Sequence, residues 1–191
     1  MTKNLLFIIL FLESFCLTME LPKVSTTSLM FSSVNTTPLA KLGITPEQVK
    51  NLKDNAANEE IIRKIYHSIG HQENDTVKEL LAAGFDPNFN SKKFGIPLMC
   101  AVSANSYKIA TFLLNAGADP NMPDGPEHPA ILRRTPLMEA VSRHNLPILI
   151  WMLNAKGDPH KIIDGRTAFG LAQGYHQILS LFDIFANQNS Q

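Results

Sequence analysis

The chain has 191 residues, 17 of them basic and 17 acidic, so its formal net charge is zero, and 45% of it is hydrophobic. That length fits one domain with a buried core, and the neutral balance argues against a generic nucleic-acid grip, which rests on an excess of Lys and Arg. Two cysteines are too few for a disulfide-stapled scaffold.

From the N-terminus, Lys3 precedes the apolar run Leu5-Leu6-Phe7-Ile8-Ile9-Leu10-Phe11-Leu12, and Ser14-Phe15-Cys16 follows. This pattern predicts a signal peptide over residues 1–16 and an exported protein, with small residues at the −3 and −1 places of a peptidase site. The run is short for a membrane span, which needs about 20 apolar residues; an uncleaved membrane anchor is the alternative. Cleavage there leaves Cys100 as a lone thiol on an apolar helix, expected to be buried and inert. Residues 17–44, rich in Ser and Thr, read as a flexible lead-in. Thr45-Pro46-Glu47-Gln48 is a capping box with proline at the first helical position, so a helix from Pro46 to about Asn55 is expected to cap the fold over 45–57. Asn35-Thr36-Thr37 and Asn74-Asp75-Thr76 match the glycan-acceptor pattern, which has meaning only in a eukaryotic secretory route.

Beyond residue 58 the chain repeats itself. Leu80-Leu81-Ala82-Ala83-Gly84-Phe85-Asp86-Pro87-Asn88 returns as Leu113-Leu114-Asn115-Ala116-Gly117-Ala118-Asp119-Pro120-Asn121, 33 residues on. A third copy, Met152-Leu153-Asn154-Ala155-Lys156-Gly157-Asp158-Pro159-His160, comes after a further 39. A second phrase is offset from the first: Ile96-Pro97-Leu98-Met99-Cys100-Ala101-Val102, then Thr135-Pro136-Leu137-Met138-Glu139-Ala140-Val141, and more loosely Thr167-Ala168-Phe169-Gly170-Leu171-Ala172. Thr-Pro starts a helix, because the hydroxyl accepts an orphan amide and proline at the next position gives up nothing. A short apolar helix, a polar break and a second helix follow, closed by a glycine where a left-handed residue is needed.

Two phrases sharing one period resemble the ankyrin repeat. The resemblance implies an all-α solenoid of about four helix-turn-helix units with outward β-turn loops, spanning 58–186 as 58–90, 91–123, 124–162 and 163–186, before a polar tail at 187–191. Each unit buries its apolar face only against its neighbours. The family's usual His after Thr-Pro-Leu is replaced by Met99, Met138 and Gly170, so apolar packing is expected where that His would hydrogen-bond. Ile96 stands in the place of a capping Thr, and Lys156 in that of a capping Gly, so a rearranged turn is expected there. Six extra residues enter the loop within 122–134.

No phosphate-binding Gly loop, Gly-x-Ser-x-Gly elbow or paired-Cys motif occurs in the sequence. His67 and His71 lie four apart, but two histidines do not complete a metal site. Glu139 and Arg143 read as a modest surface ion pair on one helix. No catalytic residue, metal or cofactor is therefore assigned. What the resemblance implies is non-catalytic binding of a protein partner. The places that ankyrin proteins use fall here on loop tips Lys92, Lys93 and Phe94, Arg133 and Arg134, and Asp164 and Arg166, and on helix ends Ser103, Ala104, Ser142 and Arg143. Recurrent Lys and Arg suggest a basic column facing an acidic partner surface, with no nucleic acid, and a membrane only if the N-terminal segment is retained. Ile150 and Trp151 suggest an apolar patch.

Overall fold

A computed structural model describes residues 37–125 and 133–188 of the chain. Among them are ten α-helices: α1 (Pro38–Lys41), α2 (Pro46–Lys50), α3 (Glu59–Gly70), α4 (Asn74–Ala82), α5 (Pro97–Ser103), α6 (Tyr107–Asn115), α7 (Pro136–Ser142), α8 (Leu146–Asn154), α9 (Ala168–Leu171) and α10 (His176–Gln188). A 3-10 turn, Ala56–Asn58, precedes α3. No strand forms among the described residues. The loops carry only isolated antiparallel bridges, Ser91 with Gly95 and Ile163 with Arg166.

Capping chemistry sets where the helices begin. Thr135 and Thr167 hydroxyls accept the amides of Met138 at 3.2 Å and Gly170 at 2.9 Å, at the starts of α7 and α9. Each satisfies a donor that the helix itself cannot. Ile96 has no such bond at the start of α5; it is 2% exposed and adds its side chain to the core instead. Met99 and Met138 are also buried, so apolar packing does replace the family histidine.

The helices pair as α3–α4, α5–α6 and α7–α8, while α9 and α10 meet through the rings of Phe169 and Phe182 at 6.3 Å, and the units stack in two rows. First helices meet first helices (α3, α5, α7, α9), and second helices meet second helices (α4, α6, α8, α10). The stacked faces bury Ile65, Leu98 and Leu137 in one row and Leu80, Leu113 and Ile148 in the other. Each such side chain contributes roughly 1.5–3 kcal/mol relative to exposure. The expected all-α ankyrin solenoid is thus what the chain forms.

Three expectations need correction. Residues 37–44 are not a flexible lead-in: Thr37 caps α1, Leu39 and Ile44 are 2% and 3% exposed, and α1 packs on α4. The amide of Leu39 also donates to the Glu79 carboxylate at 2.8 Å. Covering the outer side of the first unit's second helix therefore falls to α1. Thr45 makes its capping box as expected, but α2 ends at Lys50, because Asn51 (ψ 17°) departs from helical geometry. The side chain of Asn55 then caps the 3-10 turn instead. Finally, α10 runs to Gln188, so the polar tail begins within a helix. Residues 1–36, which hold the signal-like segment, the rest of the lead-in and the first glycan pattern, lie outside the described residues. So do 126–132, the middle of the inserted loop with His128.

The suspected rearrangement at Lys156 does not occur. Lys156 takes φ +63°, the left-handed place filled by Gly84 (φ +91°) and Gly117 (φ +96°) in the units before. The amides of Lys156 and Gly157 donate to Leu153 and Met152 carbonyls, as those of Gly117 and Ala118 do to Leu114 and Leu113. A non-glycine residue in the same geometry carries steric strain that glycine does not.

Candidate functional site

The loops that follow the second helices are fastened to one another by asparagines. Asn88 donates through Nδ2 to the Gly117 carbonyl at 2.9 Å and accepts the Asp119 amide at 2.7 Å. One unit on, Asn121 donates to the Lys156 carbonyl at 2.9 Å and accepts the Asp158 amide at 2.6 Å. The aspartates of the same phrase brace their own turns, with Asp86, Asp119 and Asp158 accepting amides two residues on at 2.8 Å each. The series stops at His160, whose ring lies 4.9 Å from that of Phe169. Two hydrogen bonds per step, one donated and one accepted, hold neighbouring loops in one register, so surface residues carried by adjacent units keep fixed spacings. Nothing singled out Asn88 and Asn121 in the sequence beyond their common place at the end of the repeated phrase, and that was the available signal.

The loop-tip residues are mostly engaged within the chain. Lys92 is exposed, and its amide donates to Asp54 at 2.7 Å. Lys93 pairs with Glu59 at 2.6 Å. Phe94 is half-buried, stacked on Tyr66 with ring centroids 5.2 Å apart. The Tyr66 hydroxyl in turn donates to the Gly95 carbonyl at 2.5 Å, and burial pushes its pKa up. Arg133 lies 3.7 Å from Asp164, and Arg166 donates to the Arg133 carbonyl at 3.1 Å. Of the expected basic tips, Lys93 and Arg133 are thus held in ion pairs within the chain, and Phe94 helps to hold its own loop against α3.

Ile150 and Trp151, expected as an apolar patch, are both half-buried on α8. The large apolar residues that do reach solvent, among those described, are Ile162 at 70% exposure and Tyr175 at 44%. Ile162 adjoins the turn closed by the Ile163–Arg166 bridge, and Tyr175 meets the His144 ring edge-on at 4.0 Å. His67 and His71 do face the same way, their rings stacked at 4.0 Å. No group of three or more His, Cys, Asp or Glu that could hold a metal occurs among the described residues.

The densest polar arrangement lies where α5 meets α7. Glu139, in the middle of α7, is 8% exposed, so it is not the surface residue that its helical spacing from Arg143 suggests. One carboxylate oxygen accepts from Arg143 Nε at 2.5 Å, the other from Arg134 Nη1 at 2.8 Å. The Ser103 hydroxyl, at the end of α5, approaches at 3.5 Å. A buried carboxylate needs such partners, since desolvation of an unpaired charge is severe. Two guanidinium groups on one carboxylate leave an excess of one positive charge. Arg143, with its side chain 45% exposed, turns that charge toward solvent. The residue that takes Glu139's place in the preceding unit is Cys100. Its half-buried thiol is pushed by burial from the ordinary value near 9 up to about 11. Ser103, Arg134 and Arg143, singled out for partner contact, are brought together here; Lys92, Lys93 and Phe94 stand apart, in the loop before α5.

A family model described as ankyrin repeats in three copies matches residues 29–124, half of the chain. That span takes in α1 and α2, in keeping with their place against the first unit. An ankyrin repeat protein of fowlpox virus (strain NVSL) is 39% identical over 62 residues, which cover 32% of this chain. The same stretch covers 33% of the viral protein, so the chain matches about a third of that relative's length.

Proposed function

We propose that this chain, which belongs to the ankyrin-repeat family, is an exported, non-catalytic module that binds one protein partner through its loop tips and its first-helix face. Ankyrin repeats are a protein-interaction fold and are generally non-catalytic. The observation that carries the reading here is the polar cluster of Ser103, Arg134, Glu139 and Arg143, on α5, α7 and the residues flanking α7, in a stack whose later loops the two asparagine bridges hold in register. A surface already ordered before binding loses little conformational entropy on contact. Ile162 adds an exposed apolar contact at the last loop.

Photo-crosslinking residues placed at Ser103, at Ile162 and at Lys108 test this. Lys108 is exposed on α6, in the second-helix row. The expected result is one discrete adduct from Ser103 and Ile162 and none from Lys108. Equal labelling from all three positions would overturn the assignment of the binding face.

Export is supported by Lys3 and the apolar run Leu5–Leu12. A second reading, a membrane-anchored tether, is favoured by the same run if it is retained. Among the described residues no helix is long and apolar enough to cross a membrane. Intact mass of the native protein separates the two: loss of about sixteen residues marks a cleaved signal, whereas a full-length mass in the membrane fraction marks an anchor.

A further inference from the structure

We propose that Arg143 docks a carboxylate side chain of an acidic segment in the partner, in the depression beside it lined by Asn105, Arg143, His144, Asn145 and Pro147. The inference rests on the protein-binding reading and names the chemistry of what is bound. The depression has a volume of about 620 Å³ and is open to solvent.

Its polar groups are arranged as donors. Asn145 Nδ2 donates to Asn105 Oδ1 at 2.5 Å, so the acceptor end of Asn105 is occupied and its Nδ2 group remains. The Asn145 side-chain Oδ1 is likewise used, accepting the Ile148 amide at 3.2 Å at the start of α8. Arg143 meets Glu139 through Nε and keeps its terminal nitrogens for a second acceptor. His144 stands at the rim with φ +53°, and Asn105 holds the matching turn one unit earlier, also at φ +53°.

Glu139 does not cancel this preference. It is buried, whereas Arg143 is 45% exposed in its side chain, and its second oxygen is taken by Arg134. What Glu139 does is hold the guanidinium plane. A planar fork fixed through one nitrogen presents the rest of its donors to a carboxylate with little left to order. One cation flanked by amide donors suits a monoanionic carboxylate. A phosphate dianion would call for a second unpaired cation, and Arg134 is already spent on Glu139. The occupant is therefore a Glu or Asp side chain of the partner.

The test is calorimetric titration of the full chain with a decaglutamate peptide at low ionic strength, with inorganic phosphate as a second titrant. Saturable peptide binding is expected, weakened about tenfold by Arg143→Ala, the scale of one charge-assisted contact. Asn105→Asp, which keeps the acceptor used by Asn145 and the left-handed turn, should weaken it comparably by placing an anion at the mouth. Unchanged melting transitions would show that both variants are folded. Lys78→Ser with Lys108→Ser removes two exposed positive charges on the second-helix row and should change binding less than twofold. Equal losses from the Lys pair and from Arg143→Ala would reduce the effect to general charge attraction and overturn the site. So would phosphate binding that depends on Arg143 while the peptide fails to bind. If crosslinking from Ser103 and Ile162 to the partner persists undiminished in Arg143→Ala, this inference fails while the binding role stands; absence of any adduct in the unsubstituted chain would sink the role itself.

Discussion

The second and third units are built to one plan and put it to different use. Residue by residue, Ile96 answers to Thr135, Cys100 to Glu139, Ala104 to Arg143, Gly117 to Lys156 and Ala118 to Gly157. In the second unit these places are apolar or conformationally easy. In the third, Thr135, Glu139 and Arg143 are polar or charged and Lys156 is strained, and the cluster of Glu139 with Arg134 and Arg143 sits among them. The backbone is nonetheless the same, down to the two hydrogen bonds that end α6 and α8. A shared repeat geometry thus leaves one unit to hold the stack together and frees its neighbour to carry chemistry.

The sharpest consequence is at Cys100. Its thiol is raised to about 11 by burial, two units above the ordinary value near 9, so near pH 8 the reactive thiolate is scarcer by about a hundredfold than in the unfolded chain. Alkylation by iodoacetamide should be slowed accordingly in the native protein and restored in urea. The linked stability has a definite sign. A folded pKa above the unfolded one favours the protonated folded state, so the contribution is complete below pH 9 and is lost as pH rises from 9 to 11. A native thiol reacting as fast as in urea would break the comparison, because the second unit would then hold a reactive group of its own.

Next in size is Gly157. A Cβ there would meet the Met152 carbonyl oxygen at 2.8 Å and carbon at 3.2 Å, with Leu137 Cδ1 at 3.3 Å. Backbone atoms at the end of a helix cannot swing aside as a side-chain tip would. Gly157→Ala is therefore expected to lower stability by about 2 kcal/mol, in the range for overpacking, measured as a shift in the urea midpoint. Yet Ala118 fills the equivalent place with its methyl buried at 5% exposure. Ala118→Gly should cost less, about 1 kcal/mol, for glycine's greater loss of chain entropy. A neutral Gly157→Ala would mean that the third unit's turn relaxes as readily as the second's.

How far these features can be read from the sequence follows from how local they are. The repeated phrases fix the helix pairs and the stacking, because period and capping act within a few residues. Thr37-Pro38-Leu39 is the same signal as Thr135-Pro136-Leu137, and it marks α1; the Ser and Thr around it make the segment look like a linker. Glu139 is legible only as a partner of Arg143 four residues on. Its burial comes from the neighbouring helix, and Arg134 reaches it from before the helix start, where no helical spacing applies. The pairing of the basic tips is hidden for the same reason: the charges that meet Lys93 and Arg133, on Glu59 and Asp164, come from 34 and 31 residues away.

Lys156 offers the finest test of the comparison, because the strain it bears can be relieved without touching a contact. At φ +63° a lysine occupies a region that costs an L-residue about 1 kcal/mol. The side chain is exposed, and among the described residues it makes no ion pair. The backbone atoms that matter, its amide to Leu153 and its carbonyl from Asn121, are retained by glycine. Lys156→Gly should therefore raise stability by up to about 0.5 kcal/mol, the left-handed relief less glycine's entropic cost. Gly117→Lys should lose a similar amount, since the same strain is then imposed one unit earlier. A gain at 156 matched by a loss at 117 would show that the two turns are energetically the same and differ only in the residue they hold. A loss at 156 would show instead that the lysine side chain is held in the folded chain, making the strained residue a contributor to the third unit rather than a tolerated substitution.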